Sequence, residues 1–127
     1  MSRLMSVAFT EQAVRERRKT VTRRKGWLFL KPGDHLTLCR KVMGRKPGEP
    51  LIRIAEVEVI DVRREPLQFV HYIGELTKEG FPELEPTRIL DGTGIFVKRF
   101  FAPQGIGRFD IVMCIEWRYF DTVGALL

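Results

Sequence analysis

Serine is almost missing from this chain. Ser2 and Ser6 are the only two in 127 residues, and no Gly-x-Ser-x-Gly turn is present to expose a serine nucleophile. Histidine is equally scarce: His35 and His71 are far apart, with no cysteine or carboxylate at metal-ligand spacing, so no metal site is expected. Cys39 and Cys114 are too few for a disulfide framework, and each sits in an apolar strand-like run where a buried free thiol is expected. No apolar run approaches the roughly 20 residues needed to span a bilayer. The segment MSRLMSVAFTEQ lacks the apolar stretch and small-residue cleavage site of a secretory signal, so a cytoplasmic location is expected. A phosphate-cradling loop of the Gly-x-x-x-x-Gly-Lys type is absent. Gly92-Thr93-Gly94 and Gly105-Ile106-Gly107 are too sparse to be a nucleotide fingerprint, and no cofactor is expected. Any catalysis therefore falls to Thr, Lys, Glu or Asp.

The charge that is present is unevenly spread. Net charge is +6, but residues 1–50 carry 13 Lys or Arg against 4 Asp or Glu, whereas residues 51–127 are net acidic. Seven basic residues lie between Arg15 and Lys25. So dense a cluster raises a positive potential that attracts phosphate. Trp27 and Phe29 follow it directly, and basic groups beside aromatics suit nucleic acid, where phosphates pair and bases stack. Phe29 suits the core better than the ligand. The expected partner is RNA or a nucleotide or nucleoside. The length suits one domain, residues 1–127, with no linker, repeat or low-complexity segment.

Along the chain, Leu4 to Phe9 reads as a short strand. Thr10 is a candidate N-cap for a helix running to about Arg18. Thr20 to Arg23 is β-branched and strand-like. Lys31-Pro32-Gly33-Asp34 is a turn, and His35 to Val42 is the strand leaving it. Gly44 to Pro50 is a hairpin loop. Leu51 to Val62 alternates apolar residues with glutamates, the pattern of a half-buried strand. Pro66 to Gly74 is irregular or helical, and Gly80, Pro82 and Pro86 break any long helix after it. Ile95 to Phe100 looks helical. In the final strand Phe109, Ile111, Met113, Ile115, Trp117 and Tyr119 share one face, with Asp110, Glu116 and Arg118 on the other. About five to six strands, one early helix and a later helical insertion predict an α+β fold, a small mixed β-barrel.

Chemistry concentrates in Arg18-Lys19-Thr20-Val21-Thr22-Arg23-Arg24, where a helix gives way to a strand. Thr20 and Thr22 share a strand face, Arg23 has the opposite parity, and Lys19 at the bend can face either way. A lysine beside other cations has its pKa lowered and becomes a better base for a neighbouring hydroxyl. Two readings stand. In one, Arg18, Lys19, Arg23, Arg24 and Lys25 bind phosphate, with Thr20 as a polar contact beside them and Trp27 stacking, or with the threonines present only for β propensity. In the other, a Thr–Lys pair performs acyl transfer, as Ser–Lys pairs do.

The Lys-Thr-x-Thr-Arg-Arg run after a short helix, the Pro-Gly-Asp turn, the Glu79-Gly80 pair and the closing Glu-Trp-Arg-Tyr strand resemble an ASCH domain, a member of the PUA-like superfamily of small β-barrels. The order matches from about Met5 to Asp121. That resemblance implies a PUA-like barrel with a basic cleft for RNA or a nucleotide. Within the family, the chain is similar to the bacterial N4-acetylcytidine amidohydrolases, which remove an acyl group from the cytosine amine. It implies Thr22 as nucleophile, Lys19 as proton acceptor, Glu79 as the group that orients the lysine or assists the leaving amine, and Arg23 as a phosphate or oxyanion partner. A glutamate ahead of a glycine turn can equally be a solvent-exposed residue with no role. The same cleft could serve a ribonuclease or a non-enzymatic regulatory RNA-binding module. Two departures stand out. Where the family places glycine before Arg-Lys-Thr this chain has Arg17, for which a left-handed backbone costs about 1–2 kcal/mol. The stretch around Glu83 to Gly94 is extra.

Overall fold

The computed structural model describes residues 2–120; Met1, and Asp121 with the expected end of the core, lie outside the described residues. Five strands form one sheet in the order β1-β3-β4-β5-β2: β1 is Arg3–Ser6, β2 Val21–Arg24, β3 His35–Cys39, β4 Arg53–Pro66 and β5 Ile111–Tyr119. Only β1 and β3 pair in parallel; the other neighbours are antiparallel. The sheet curls into a half-barrel, the mixed α+β architecture the sequence predicts.

Curling depends on β4. It runs 14 residues, beyond the expected end at Val62, because Arg63 to Pro66 continue to pair with β5 opposite Cys114 to Ile111. A register shift between Val59 and Asp61 leaves Ile60 as an extra residue, and such bulges bend and twist a strand. The bent strand pairs with β3 over Arg53 to Glu58 and with β5 from Val57 to Pro66.

Two apolar clusters result. Met5, Val14, Leu36, Leu38, Val57, Val59, Met113, Ile115 and Trp117 fill the inside of the half-barrel. Leu67, Val70, Leu76, Leu84, Phe96, Val97, Phe101, Ile106 and Val112 fill a second cluster between β5 and the helical insertion. Strand β5 is therefore covered on both faces, which corrects the expected division into apolar and polar sides. Val112 and Cys114 are buried beside Glu116 and Arg118 on what reads as the polar face, whereas Phe109 and Ile111 are more than half exposed. Both cysteines are buried and free.

Helices are short. α1 covers Glu11–Arg15 and stops before Arg18 because Arg17 adopts φ 59, the left-handed conformation in which glycine is usual. Thr10 occupies the N-cap position, but its side chain makes no capping bond. α2, Glu75–Glu79, is a helix the glycine and proline signals conceal; Gly80 ends it at φ 104. α3, Gly92–Phe100, starts earlier than its apolar pattern suggests because the Asp91 carboxylate accepts from Gly94 N at 2.9 Å. Gly92 sits under the turn at Pro82–Leu84, where an added Cβ would lie 1.5 Å from Leu84 O. Gly92→Ala should therefore destabilise the fold by about 1–3 kcal/mol, read as a lowered urea midpoint with unchanged slope.

Candidate functional site

The site is assembled at the turn between α1 and β2. After the left-handed Arg17, the amides of Arg18 and Lys19 both donate to Ala13 O, at 2.7 and 3.3 Å. The Lys19 carbonyl then accepts from the Trp117 indole at 3.0 Å and from the Tyr119 hydroxyl. Thr20 N donates to Lys78 O at 2.9 Å, tying the turn to α2. With the backbone held on both sides, the Lys19 side chain points inward and is only 3% exposed.

Its amine meets the end of α2. Lys19 Nζ donates to Glu79 O at 2.6 Å and approaches Glu79 Oε1 at 3.4 Å. Gly80 makes this junction fit: a Cβ there would press on Ala13 and Thr10 side chains at 3.2 Å, on top of the positive φ. Glu79, which could have been solvent-exposed, is 2% exposed. Its other oxygen, Oε2, accepts from Arg23 Nη1 at 2.9 Å.

Burial draws the Lys19 ammonium from an ordinary 10.5 down to about 8, opposed by Glu79 and assisted by Arg24 and Arg23. Neighbouring cations, the cause suggested by the sequence, contribute less than desolvation does. At neutral pH a useful fraction of this amine is uncharged, which an exposed lysine cannot offer.

Thr22 is 4% exposed, and its Oγ1 accepts from Arg24 Nε at 3.3 Å. Arg24 Nη2 donates to Ser6 O at 2.5 Å, bridging β2 to the end of β1. Those two strands are the edges of the sheet, so the cleft lies where its edges approach. Arg24 has no carboxylate partner among the described residues; burial lowers its pKa and Glu79 works the other way. Arg23 differs. Its side chain has no exposure, and Glu79, Glu75 and Glu65 surround it at 2.9, 2.5 and 3.4 Å. Burial opposes its charge, but Glu79 and Glu75 outweigh burial and raise its pKa.

A cleft of about 300 Å³ opens here, lined by Lys19, Thr22, Glu79, Arg24, Lys25 and Trp27 on the motif side. The structure thus brings together the three candidate catalytic residues and most of the candidate binders. Arg18 lies elsewhere, exposed and paired with Glu16 at 2.6 Å, and Thr20 contributes backbone bonds but does not line the cleft. Arg23 reaches the cleft wall, yet its charge is committed to carboxylates rather than to an incoming phosphate. Trp27 adopts φ 58 after Gly26 at φ 89, lines the cleft, and lies 5.5 Å from the Phe29 ring in a tilted contact; Phe29 is half exposed rather than in the core as expected.

The opposite wall escaped the sequence reading. Phe9, Phe81 and Phe100 line it, with Phe100 ring centres 5.4 Å from Phe9 and 4.8 Å from Phe81. Phe9 is 81% exposed on a single turn of 3-10 helix. An aromatic that contributes so little to either core was the available signal, but it reads as the end of a strand.

Among the described residues, no group of three or more His, Cys, Asp or Glu is placed to hold a metal ion, and no helix is long and apolar enough to cross a membrane. Comparison with protein-family models, curated proteins and solved structures finds no match for this chain.

The depressed Lys19 pKa has a consequence for stability. Between about 8 and 10.5 the unfolded chain binds more protons at this residue than the folded one, so stability rises with pH across that window. Below it, the cost of a charged buried amine is constant. Relative to Lys19→Met, the wild type should gain stability from pH 8 to pH 10.5 in urea titrations; a constant difference would show that Lys19 titrates normally.

Proposed function

We propose that this protein hydrolyses an acyl amide on a nucleobase, with an N4-acylcytidine nucleoside or nucleotide as substrate. The observation that carries the reading is a buried lysine drawn to about 8 in the same cleft as a buried threonine hydroxyl. This is the composition of an activated nucleophile, and the resemblance to ASCH-domain amidohydrolases assigns the same three residues. Cleft size supports a nucleoside over a long RNA segment, since about 300 Å³ is at the small end of ligand pockets. The aromatic wall of Phe9, Phe81 and Phe100 offers a face for the base, and Arg24 and Lys25 offer positive charge for an oxyanion or phosphate.

The reaction follows from these placements. Lys19 in its neutral form takes the Thr22 hydroxyl proton as Oγ1 attacks the amide carbonyl. In the free protein Nζ rests on Glu79 and Oγ1 on Arg24, so substrate entry has to bring nucleophile and base together. Arg24, already a donor to Thr22 Oγ1, is positioned to stabilise the oxyanion of the tetrahedral intermediate. The C–N bond then breaks, and the exocyclic amine leaves with the proton held by Lys19. Water attacks the threonyl ester, again giving its proton to Lys19, and Lys19 passes that proton to Thr22 Oγ1 as the ester C–O bond breaks and the carboxylic acid leaves.

The test is hydrolysis of N4-acetylcytidine by wild type, Lys19→Ala and Thr22→Ala. Turnover should vanish in both variants while their circular dichroism matches wild type, and kcat/KM should rise with pH through about 8 as Lys19 deprotonates. No turnover by wild type removes this reading; salt-dependent binding of cytidine nucleotides without turnover would leave a binding module in its place. Phe9→Ala should weaken nucleoside binding by roughly tenfold, since stacking of a base on an aromatic side chain contributes about 1–3 kcal/mol. Unchanged affinity in calorimetry would take the base away from that wall.

A further inference from the structure

The least explained group in the site is Arg23. One guanidinium is enclosed by three carboxylates, with no side-chain exposure, and its Nε has no hydrogen-bond partner among the described residues. A structural ion pair needs one carboxylate; here three surround one cation, which also reaches the cleft wall. The partners are themselves tethered. Glu75 also accepts from Lys78 at 3.2 Å, and Glu65 accepts from Arg63 Nε at 2.9 Å. Arg23 is thereby fixed from its outer side and presents Nη1 inward to Glu79 Oε2.

Glu79 has two ways to use its charge. Without Arg23, its carboxylate would close on the Lys19 amine, the other cation it touches, and hold the proton there. In the structure, Oε2 is taken by Arg23 at 2.9 Å, and Oε1 stays 3.4 Å from Nζ, outside the range of a strong charged bond. The shorter contact of Nζ, 2.6 Å, is to the Glu79 main-chain carbonyl, which carries no formal charge.

We propose that Arg23 is a positioning residue that acts through Glu79: by occupying Oε2 it keeps the carboxylate from closing on Lys19, leaving that amine able to release and accept a proton. Glu75 is the outer anchor of this arrangement, and Arg24 is the guanidinium left for substrate. The groups facing Lys19 are then Glu79 from α2 and Arg23 and Arg24 from β2, with Glu75, Glu65, Arg63, Lys78 and Cys114 around Arg23.

The consequence for catalysis rests on the hydrolase reading, but its test does not. Lys19 can be followed directly by NMR of the lysine side-chain amine across pH, in wild type, Arg23→Gln and Glu75→Gln. Arg23→Gln frees Glu79 to close on Lys19 and removes a cation, so the Lys19 midpoint should rise by about one pH unit. Glu75→Gln keeps Arg23 but withdraws its outer anchor, so Arg23 turns more of its charge on Glu79 and the Lys19 midpoint should fall. Opposite movements support the assignment. A merely structural role would loosen the site and let Lys19 return toward its ordinary value in both variants. Upward movement in both, or no movement in either, overturns the proposal. Should Arg23→Gln fail to fold, a rise or no change in Glu75→Gln overturns it alone. If wild type turns over N4-acetylcytidine, the rising limb of its pH profile should move with the NMR midpoint. If it does not, the hydrolase reading fails while the role of Arg23 is still decided by the titration.

Discussion

Everything at the cleft depends on keeping one lysine out of water. The Lys19 carbonyl is clamped by Trp117 and Tyr119 from β5, and the amide that follows it is bonded to α2, so the side chain is held inward on the cleft wall and almost wholly buried. Removing an ammonium from water is costly, and the cost appears as a pKa of about 8 rather than 10.5. A single carboxylate at full contact would cancel that effect. The site instead gives the amine a neutral carbonyl at short range and a carboxylate at long range. Burial and incomplete pairing together make an ordinary side chain a usable base.

Much of this was legible in the sequence. The Lys19-to-Arg24 run announces itself by density of charge and by two threonines at strand spacing; the strand starts one residue later than expected, at Val21, leaving Thr20 in the turn and Thr22 buried in β2. The mixed half-barrel follows from alternation in β4 and β5. What escaped has physical reasons. Period-two alternation identifies a strand but not what covers its far side, so the burial of Val112 under the helical insertion, and of Cys114 beside Arg63, could not be read from β5 alone. α2 is five residues long between two glycines, too short to show a helical period. The partners of Arg23 come from β4 and α2, and only folding reveals that this arginine is enclosed while the next one faces the cleft.

Arg17 shows the same limit from the other side. An arginine gives no sign in the sequence of a left-handed backbone, yet Arg17 sits at φ 59, where glycine is the usual residue. The strained turn is retained with a bulky residue, and its guanidinium lies 5.5 Å from the Tyr119 ring, the same tyrosine that clamps Lys19. Contacts to a tyrosine face offset part of the backbone cost.

The approach of the two sheet edges has an effect beyond ligand binding. An unpaired strand edge is a template for adding strands from other chains, and proteins guard such edges with charge. Here the exposed sides of β1 and β2 meet across the cleft, and Arg24 and Lys25 stand along it. The same cations that suit a phosphate or an oxyanion also deter edge-to-edge self-association. The basic character of this seam therefore has a use whether or not a ligand enters the cleft.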